Sequence, residues 1–304
     1  MKKSAVFLSL IFLILSFSFA EESDTLKKIE KGEAPLPEDP PVLSEETVEP
    51  AEEKPAQEEA CGPENLRKIE NHAWQVGEKL KFNIYKWLVK GGETVMAVEQ
   101  TLDANGFESY KVSARVKSTG LIDFFYKVRD TTITFIEKKG IFSLGTDKKL
   151  NEGSFHDRRT ASFYPCENSA KTFSKRKKNS KEEYKSVHKD LPTYLQDILS
   201  SIYFLRTQDL EVGQDEKIEV FDDEKQYQMT VKVHKKEKVK TKAGKFTCYK
   251  VEPLLQSTGI FNAKGRLLVW LTDDKRKLPV KLKTKIALGN VQAELVSFEG
   301  AVDK

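Results

Sequence analysis

The sequence predicts a mainly β protein, a strongly curved antiparallel sheet or incomplete barrel of about ten strands with one packed helix. Three observations carry this. From Trp74 onward polar and apolar residues alternate with a period of two, in runs rich in β-branched and aromatic residues. Gly- and Asn-containing turn signals separate the runs at the spacing of sandwiches and barrels. One segment breaks the period and steps by three and four residues instead.

The first strand signal is Leu80, Phe82 and Ile84 alternating with Lys79, Lys81, Asn83 and Tyr85. Gly91-Gly92 offers a hairpin turn into Thr94–Leu102, and Asn105-Gly106, a type I′ signal, leads into Tyr110–Val116. Gly120–Phe125 reads as a short helical turn. Strand runs follow at Thr131–Ile136, Ile141–Leu144, Ile218–Phe221, Gln226–His234, Phe246–Glu252, Arg266–Thr272, Val280–Ile286 and Val291–Phe298. Lys139-Gly140, Ala243-Gly244, Lys264-Gly265 and Gly289-Asn290 supply turns between them. In Thr193–Gln208, Leu195, Ile198, Leu199, Ile202 and Leu205 mark one face of a helix that Thr193 can cap. No repeat of fixed period is visible, which argues against a propeller or solenoid.

Ahead of this body lie two segments of different character. Lys2 and Lys3, the apolar run Ala5 to Phe17 and the small residues of Ser18-Phe19-Ala20 form a signal peptide, expected to be cleaved after Ala20. Residue 21 is Glu, so the sequence does not support a lipid anchor there. Residues 21–72 read as a disordered acidic linker, with six prolines and fourteen carboxylates in 21–60. The β domain then spans 73–301. The total charge of +4 divides into +2 for residues 1–20, −10 for 21–60 and +12 for the rest. With no 18-residue apolar run after residue 20, the pattern excludes a multispanning helical membrane protein. A chain exported to the periplasm, not integral to the membrane after cleavage, is the expectation.

Four motifs resemble one family. They are Gly77-Glu78-Lys79-Leu80-Lys81-Phe82, Ser118 to Phe125 with Arg129-Asp130, Asp197 to Arg206, and Trp270 to Asp274 with Pro279-Val280. In this order and spacing they are similar to the bacterial exported proteins of domain of unknown function family 3108. The resemblance implies an exported, mainly β domain with no assigned activity.

The search for chemistry is mostly negative. There is no Gly-x-Ser-x-Gly elbow, no paired-histidine zinc motif and no Gly-rich phosphate loop. His156-Asp157-Arg158-Arg159 pairs a histidine with a carboxylate, but a polar strand-connecting loop explains the same residues. Neither a metal nor a cofactor is expected, and the chain reads as a non-enzyme. Of three cysteines, Cys61–Cys166 or Cys166–Cys248 can bridge outside the cytoplasm, leaving one thiol over.

Two candidate sites remain. Phe124, Phe125, Arg129, Tyr203, Arg206 and Trp270 can line a ligand cavity, or fill a core and brace the helix. Lys175, Arg176, Lys177, Lys178, Lys235 and Lys236 lie in two Lys-rich stretches that attract anions, or simply keep strand surfaces solvated. Nucleic acid is not the expected partner, since aromatic residues do not interleave these stretches. Anionic lipid, lipopolysaccharide or a wall polymer fits better. The leading expectation is an envelope binding module for an amphipathic or anionic ligand. The other is an envelope scaffold that meets a partner protein through its acidic linker and basic face.

Overall fold

The computed structural model describes residues 62, 65–86, 88–177, 181–255, 266–286 and 289–303. The expected signal peptide, most of the linker, Cys61 and the Lys264-Gly265 turn lie outside them. Contacts to the sheet start at Arg67, ahead of the residue-73 boundary: its amide donates to the Tyr194 hydroxyl (3.0 Å) and its Nε to the Gly140 carbonyl (2.9 Å).

The strands are β1 (Lys79–Lys86), β2 (Val89–Ala104), β3 (Phe107–Ser118), β4 (Arg129–Glu137), β5 (Ser143–Glu152), β6 (Phe155–Tyr164), β7 (Ser169–Lys177) and β8 (Lys181–His188). After them come β9 (Asp215–Asp222), β10 (Lys225–Thr241), β11 (Gly244–Leu255), β12 (Leu267–Thr272), β13 (Pro279–Ile286) and β14 (Gly289–Glu299). Helix α1 (Gly120–Phe125) joins β3 to β4, and α2 (Ile198–Thr207) lies between β8 and β9. All fourteen strands form one antiparallel sheet in the order β8-β7-β6-β5-β4-β3-β2-β1-β14-β13-β12-β11-β10-β9. Two meanders therefore meet where β1 pairs with β14.

The count of fourteen corrects the expected ten. Strands β6, β7 and β8 carry little apolar alternation, because the face they turn inward mixes charged and hydroxyl side chains with apolar ones. Asp157, Arg159 and Arg176 point there, and Arg159 bonds Asp157 (2.8 Å). His156 to Arg159 is therefore strand, not connecting loop, and its neighbours alternate between faces. His156 meets Asn151 (3.0 Å) outside while Asp157 is buried inside, so the two make no acid–base pair. The Lys-rich stretch after residue 170 is likewise β7 and β8.

A second correction concerns Gly91-Gly92, which sits inside β2 and not at the turn. Tyr85 faces Lys90 and Ile84 faces Gly92, so Gly91 is the extra residue of a bulge. A Cβ on Gly92 would lie 2.8 Å from the Lys117 carbonyl, so the third strand can approach only a glycine. Asn105-Gly106 does form the expected two-residue turn, with both φ positive.

The sheet is not closed: β8 and β9 are its edges. It curls until the end of β9 lies over the inner face of β5, β6 and β7. Phe221 meets Phe163 edge-on (5.5 Å), and Lys148 of β5 forms an ion pair with Asp222. The segment before α2 bridges the gap. Ser143 of β5 donates to the Leu195 carbonyl (2.8 Å), and Gln196 bonds Glu219 and Phe221 of β9 (both 2.8 Å).

Helix α2 starts on a capping box. The Asp197 carboxylate accepts from the Leu199 amide (2.8 Å) and the Ser200 amide (3.1 Å), and Ser200 Oγ accepts from the Asp197 amide (2.9 Å). Thr193, the expected cap, lies outside the helix and donates to Asn168 (3.1 Å). The Asp197 side chain also takes hydrogen bonds from Thr134 and from Ser143 (2.7 Å), which ties the helix start to β4 and β5. Ile198, Leu199, Tyr203 and Leu205 are buried in the main core beside Trp74. The Trp74 ring meets Tyr110 (4.8 Å) and Tyr203 (5.1 Å) edge-on, and its Nε1 donates to the Tyr203 carbonyl (3.1 Å).

Cys166 is disulfide-bonded, whereas Cys248 is free and buried on β11. The Cys166–Cys248 staple is thereby excluded.

Candidate functional site

The end of the sheet that holds the β1–β2 turn also holds α1. The Thr119 amide donates to the Gly91 carbonyl (3.0 Å), so the helix begins beside that hairpin. Downstream, Arg129 clamps it with two parallel bonds to Asp123, 2.7 and 3.0 Å. Ser118 Oγ donates to Asp123 and accepts from the Val128 amide (2.8 Å), closing the base of the loop. The Arg129 guanidinium and Ser118 hydroxyl hold the Asp123 carboxyl down at about 2, so the clamp stays ionised.

None of the six α1 residues is buried. Leu121 is 79% exposed, Phe124 83% and Phe125 79%, and across the hairpin Leu88 is 92% and Val89 66%. The Phe124 and Phe125 rings meet edge-on at 5.1 Å. Single exposed apolar residues are ordinary; five on two adjoining elements are not. Lys86, Lys90, Lys117, Lys127 and Arg129 stand around them, with Glu93 and Asp123 as the nearby outward carboxylates. Glu93 is engaged by Lys90 (2.6 Å) and Lys117 (3.3 Å), and the local balance stays positive.

Beneath α1, Asp130 of β4 is buried. One oxygen accepts from the Asn151 amide (2.8 Å); the other has no partner among the described residues. Tyr126, the residue after α1, donates to Glu152 (3.4 Å), and burial together with that carboxylate pushes its phenol up to about 12. Burial likewise raises the Asp130 carboxyl to about 7. The unfolded chain ionises this group near pH ~4, the folded chain only near 7, so stability present below ~4 declines between the two values and is absent above them. Asp130→Asn keeps the acceptor and removes the charge. It is expected to raise stability at about pH 8 by up to about 4 kcal/mol, and to flatten the profile between about 4 and 7. Urea midpoints measured across that range check this; an unchanged slope would assign the pH dependence to other groups.

The six expected ligand-lining residues fall in three places. Phe124, Phe125 and Arg129 belong to the α1 end. Tyr203 and Arg206 are fully buried in the core, with Arg206 paired to Glu78 by two 2.7 Å bonds. Trp270, on β12, donates its Nε1 to Glu237 (2.7 Å), and Lys250 and Lys281 stand 5.6 and 6.0 Å from its ring. These six do not form one cavity. The expected anion surface is interleaved with carboxylates: Lys175 pairs with Glu183 (2.5 Å), Arg176 with Asp157 (3.5 Å), Lys235 with Glu237 (2.8 Å) and Lys236 with Asp273 (2.9 Å). The Lys177 side chain and Lys178 lie outside the described residues. Leu88, Val89 and Leu121 were not among the expected site residues. Their signal was apolar side chains in a turn and on a short helix, where polar residues are usual.

The seam where β9 overlies β5–β7 holds a partly open pocket of about 40 Å³, lined by Lys148, Arg159, Phe173, Phe221, Asp222 and Asp223 among others. It has room for a few waters, and charged, hydroxyl and aromatic side chains line it together. Among the described residues no cluster of His, Cys, Asp or Glu can hold a metal, and no helix is long and apolar enough to cross a membrane.

Fold and sheet order define a class of mainly β proteins built on one large, unclosed antiparallel sheet. Residues 81–296 match the family model described as protein of unknown function DUF3108, and the chain belongs to that family. Among solved structures, it is similar to a β-barrel-like protein of domain of unknown function DUF1849 from Brucella abortus. The identity there is 13%, the match covers 75% of this chain and 98% of that one, and the TM-score is 0.47. It is also similar to a protein from Bacteroides fragilis described as exported and of YmcC-like fold, at 14% identity, 76% and 99% coverage and TM-score 0.31. No curated protein matches the chain.

Proposed function

We propose that this chain is an exported, non-enzymatic binding module of the cell envelope, and that it takes an anionic amphipathic lipid at the α1 end of its sheet. The observation that carries the reading is the exposed cluster of Leu88, Val89, Leu121, Phe124 and Phe125 with cations around it. Apolar side chains held in water at this density favour a ligand with an apolar part, and the cations favour one with a negative head. The sequence of residues 1–20 supports export. Buried ionisable groups elsewhere, such as Glu78 with Arg206 and Lys148 with Asp222, are committed to ion pairs that hold elements together.

Isothermal titration with dihexanoyl phosphatidylglycerol below its micellar threshold tests the reading. Saturable binding is expected for the parent chain and is expected to vanish in Phe124→Glu/Phe125→Glu. Heats of dilution alone from the parent, together with no binding to anionic lipid vesicles, would remove the reading.

A further inference from the structure

We infer that the α1 end is a membrane-docking tip, and that its occupant is the surface of an anionic phospholipid bilayer. The inference rests on the proposed lipid-binding reading and specifies the form of the ligand.

Shape is the first argument. A dissolved amphiphile is held tightly only by a concave site that wraps most of its surface, and projecting side chains bind it weakly. Here the apolar side chains project instead, four of the five with four-fifths or so of their area in water or more. Projecting residues on two adjoining elements can bury themselves together in a deformable apolar layer. The bilayer interface is such a layer, and phenylalanine and leucine with lysine behind them are the residues that suit it.

Charge is the second. Lys117 and Arg129 face each other across β3 and β4, one step back from α1, and Lys86 and Lys90 flank the β1–β2 turn. Lys127 lies between α1 and β4. This places cations behind the apolar tip on both elements, where phosphate groups lie once the tip is inserted. Near an anionic surface each such cation contributes a factor of about five in affinity. The two outward carboxylates are already engaged by cations, Asp123 by Arg129 and Glu93 by Lys90 and Lys117, so they do not oppose the field alone.

Rigidity is the third. The Thr119–Gly91 bond, the Asp123–Arg129 clamp and the Ser118 hydroxyl fix α1 although none of its residues is fully buried. A helix of six residues with only Ile122 packed against the core needs such staples, and they present its rings already ordered.

The test is co-sedimentation of the full chain with vesicles of phosphatidylcholine and phosphatidylglycerol in equal parts. The parent is expected to bind them, and to bind phosphatidylcholine vesicles at least about ten-fold more weakly. Phe124→Glu/Phe125→Glu is expected to reduce binding at least about ten-fold while leaving the melting temperature unchanged, since both rings are exposed. Lys90→Glu/Lys127→Glu is expected to weaken binding to the mixed vesicles and to abolish its salt sensitivity in large part. Equal binding by parent and phenylalanine variant overturns the inference, as does parent binding that ignores the anionic lipid. If dihexanoyl phosphatidylglycerol binds and the vesicles do not, the bilayer is the wrong occupant while the lipid-binding reading stands. If neither binds, both fall.

Discussion

Arg206→Met is expected to destabilise the protein more than any other single substitution on α2, and Glu78→Gln to cost about 3–5 kcal/mol. Both side chains are fully buried, so the two 2.7 Å bonds between them offset charges that have no access to water. Removing the carboxylate charge leaves a guanidinium in the core with half its compensation. Removing the guanidinium does more damage. Arg206 also donates Nε to the Arg276 carbonyl (3.0 Å) and a terminal nitrogen to the Ala73 carbonyl (3.1 Å). Without it, a buried carboxylate and two carbonyls lose their donors, each carbonyl at about 1–3 kcal/mol. The double variant Glu78→Gln/Arg206→Met removes both charges but still orphans the carbonyls. It should therefore be more stable than Arg206→Met alone and less stable than the parent. Denaturant midpoints of the three variants give the order directly. Double-variant losses equal to the sum of the singles would mean the pair is not coupled.

The same knot explains why the sequence motifs recur where they do. Glu78 comes from the first motif, Arg206 from the helix motif, and Arg276 follows Asp273-Asp274 of the last. Asp274 holds Arg276 (2.7 Å) and accepts from Thr272 (2.9 Å), shaping the turn whose carbonyl Arg206 reaches. Three motifs thus converge on one buried guanidinium, with contacts that span 128 residues to Glu78 and 70 to Arg276. The fourth, Ser118 to Asp130, builds the α1 end instead. Motif spacing alone does not separate these roles, because a charged residue beside apolar ones looks alike in a core knot and in a binding site.

What was legible followed the inner face of the sheet. Where that face is apolar, as in β1 with Leu80, Phe82 and Ile84, alternation marked the strand. Helix α1 and the central helix were legible as well. Where the inner face mixes Asp157, Arg159 and Arg176 with hydroxyl and apolar residues, as in β6 and β7, and the outer face is solvated and charged, hydropathy has only a weak period. The partners of those charges, Asp222 and Asp223, lie at the far edge of the sheet order. Only the curl that brings β9 over β5–β7 shows why Lys148 and Arg159 are where they are.

That seam supplies the second large effect. Lys148→Met is expected to cost about 3–5 kcal/mol by leaving the buried Asp222 carboxylate without its ammonium. Burial alone would disfavour the lysine charge, but Asp222 and Asp223 outweigh it and hold the ammonium above its ordinary range. Arg159 reinforces the arrangement by bridging Asp223 and Asp157, and these two also stand near Arg176. The seam differs from the Arg206 knot in what it joins. It fastens edge strand β9 to strands that follow another course through the sheet, and no ladder of hydrogen bonds links β9 to β5 or β6. Loss of Lys148 should therefore open the seam before it unfolds the core. In hydrogen exchange, the Phe221 and Gln196 amides, which bond each other's segments, should lose protection first, while those of β13 and β14 keep theirs. Lys148→Met/Asp222→Leu removes both charges and should recover most of the loss, because an apolar pair of similar size substitutes for a buried ion pair at little cost. A double variant as unstable as the single would place the strain in packing around Phe221 and Phe163, and would leave the ion pair without a part in closing the sheet.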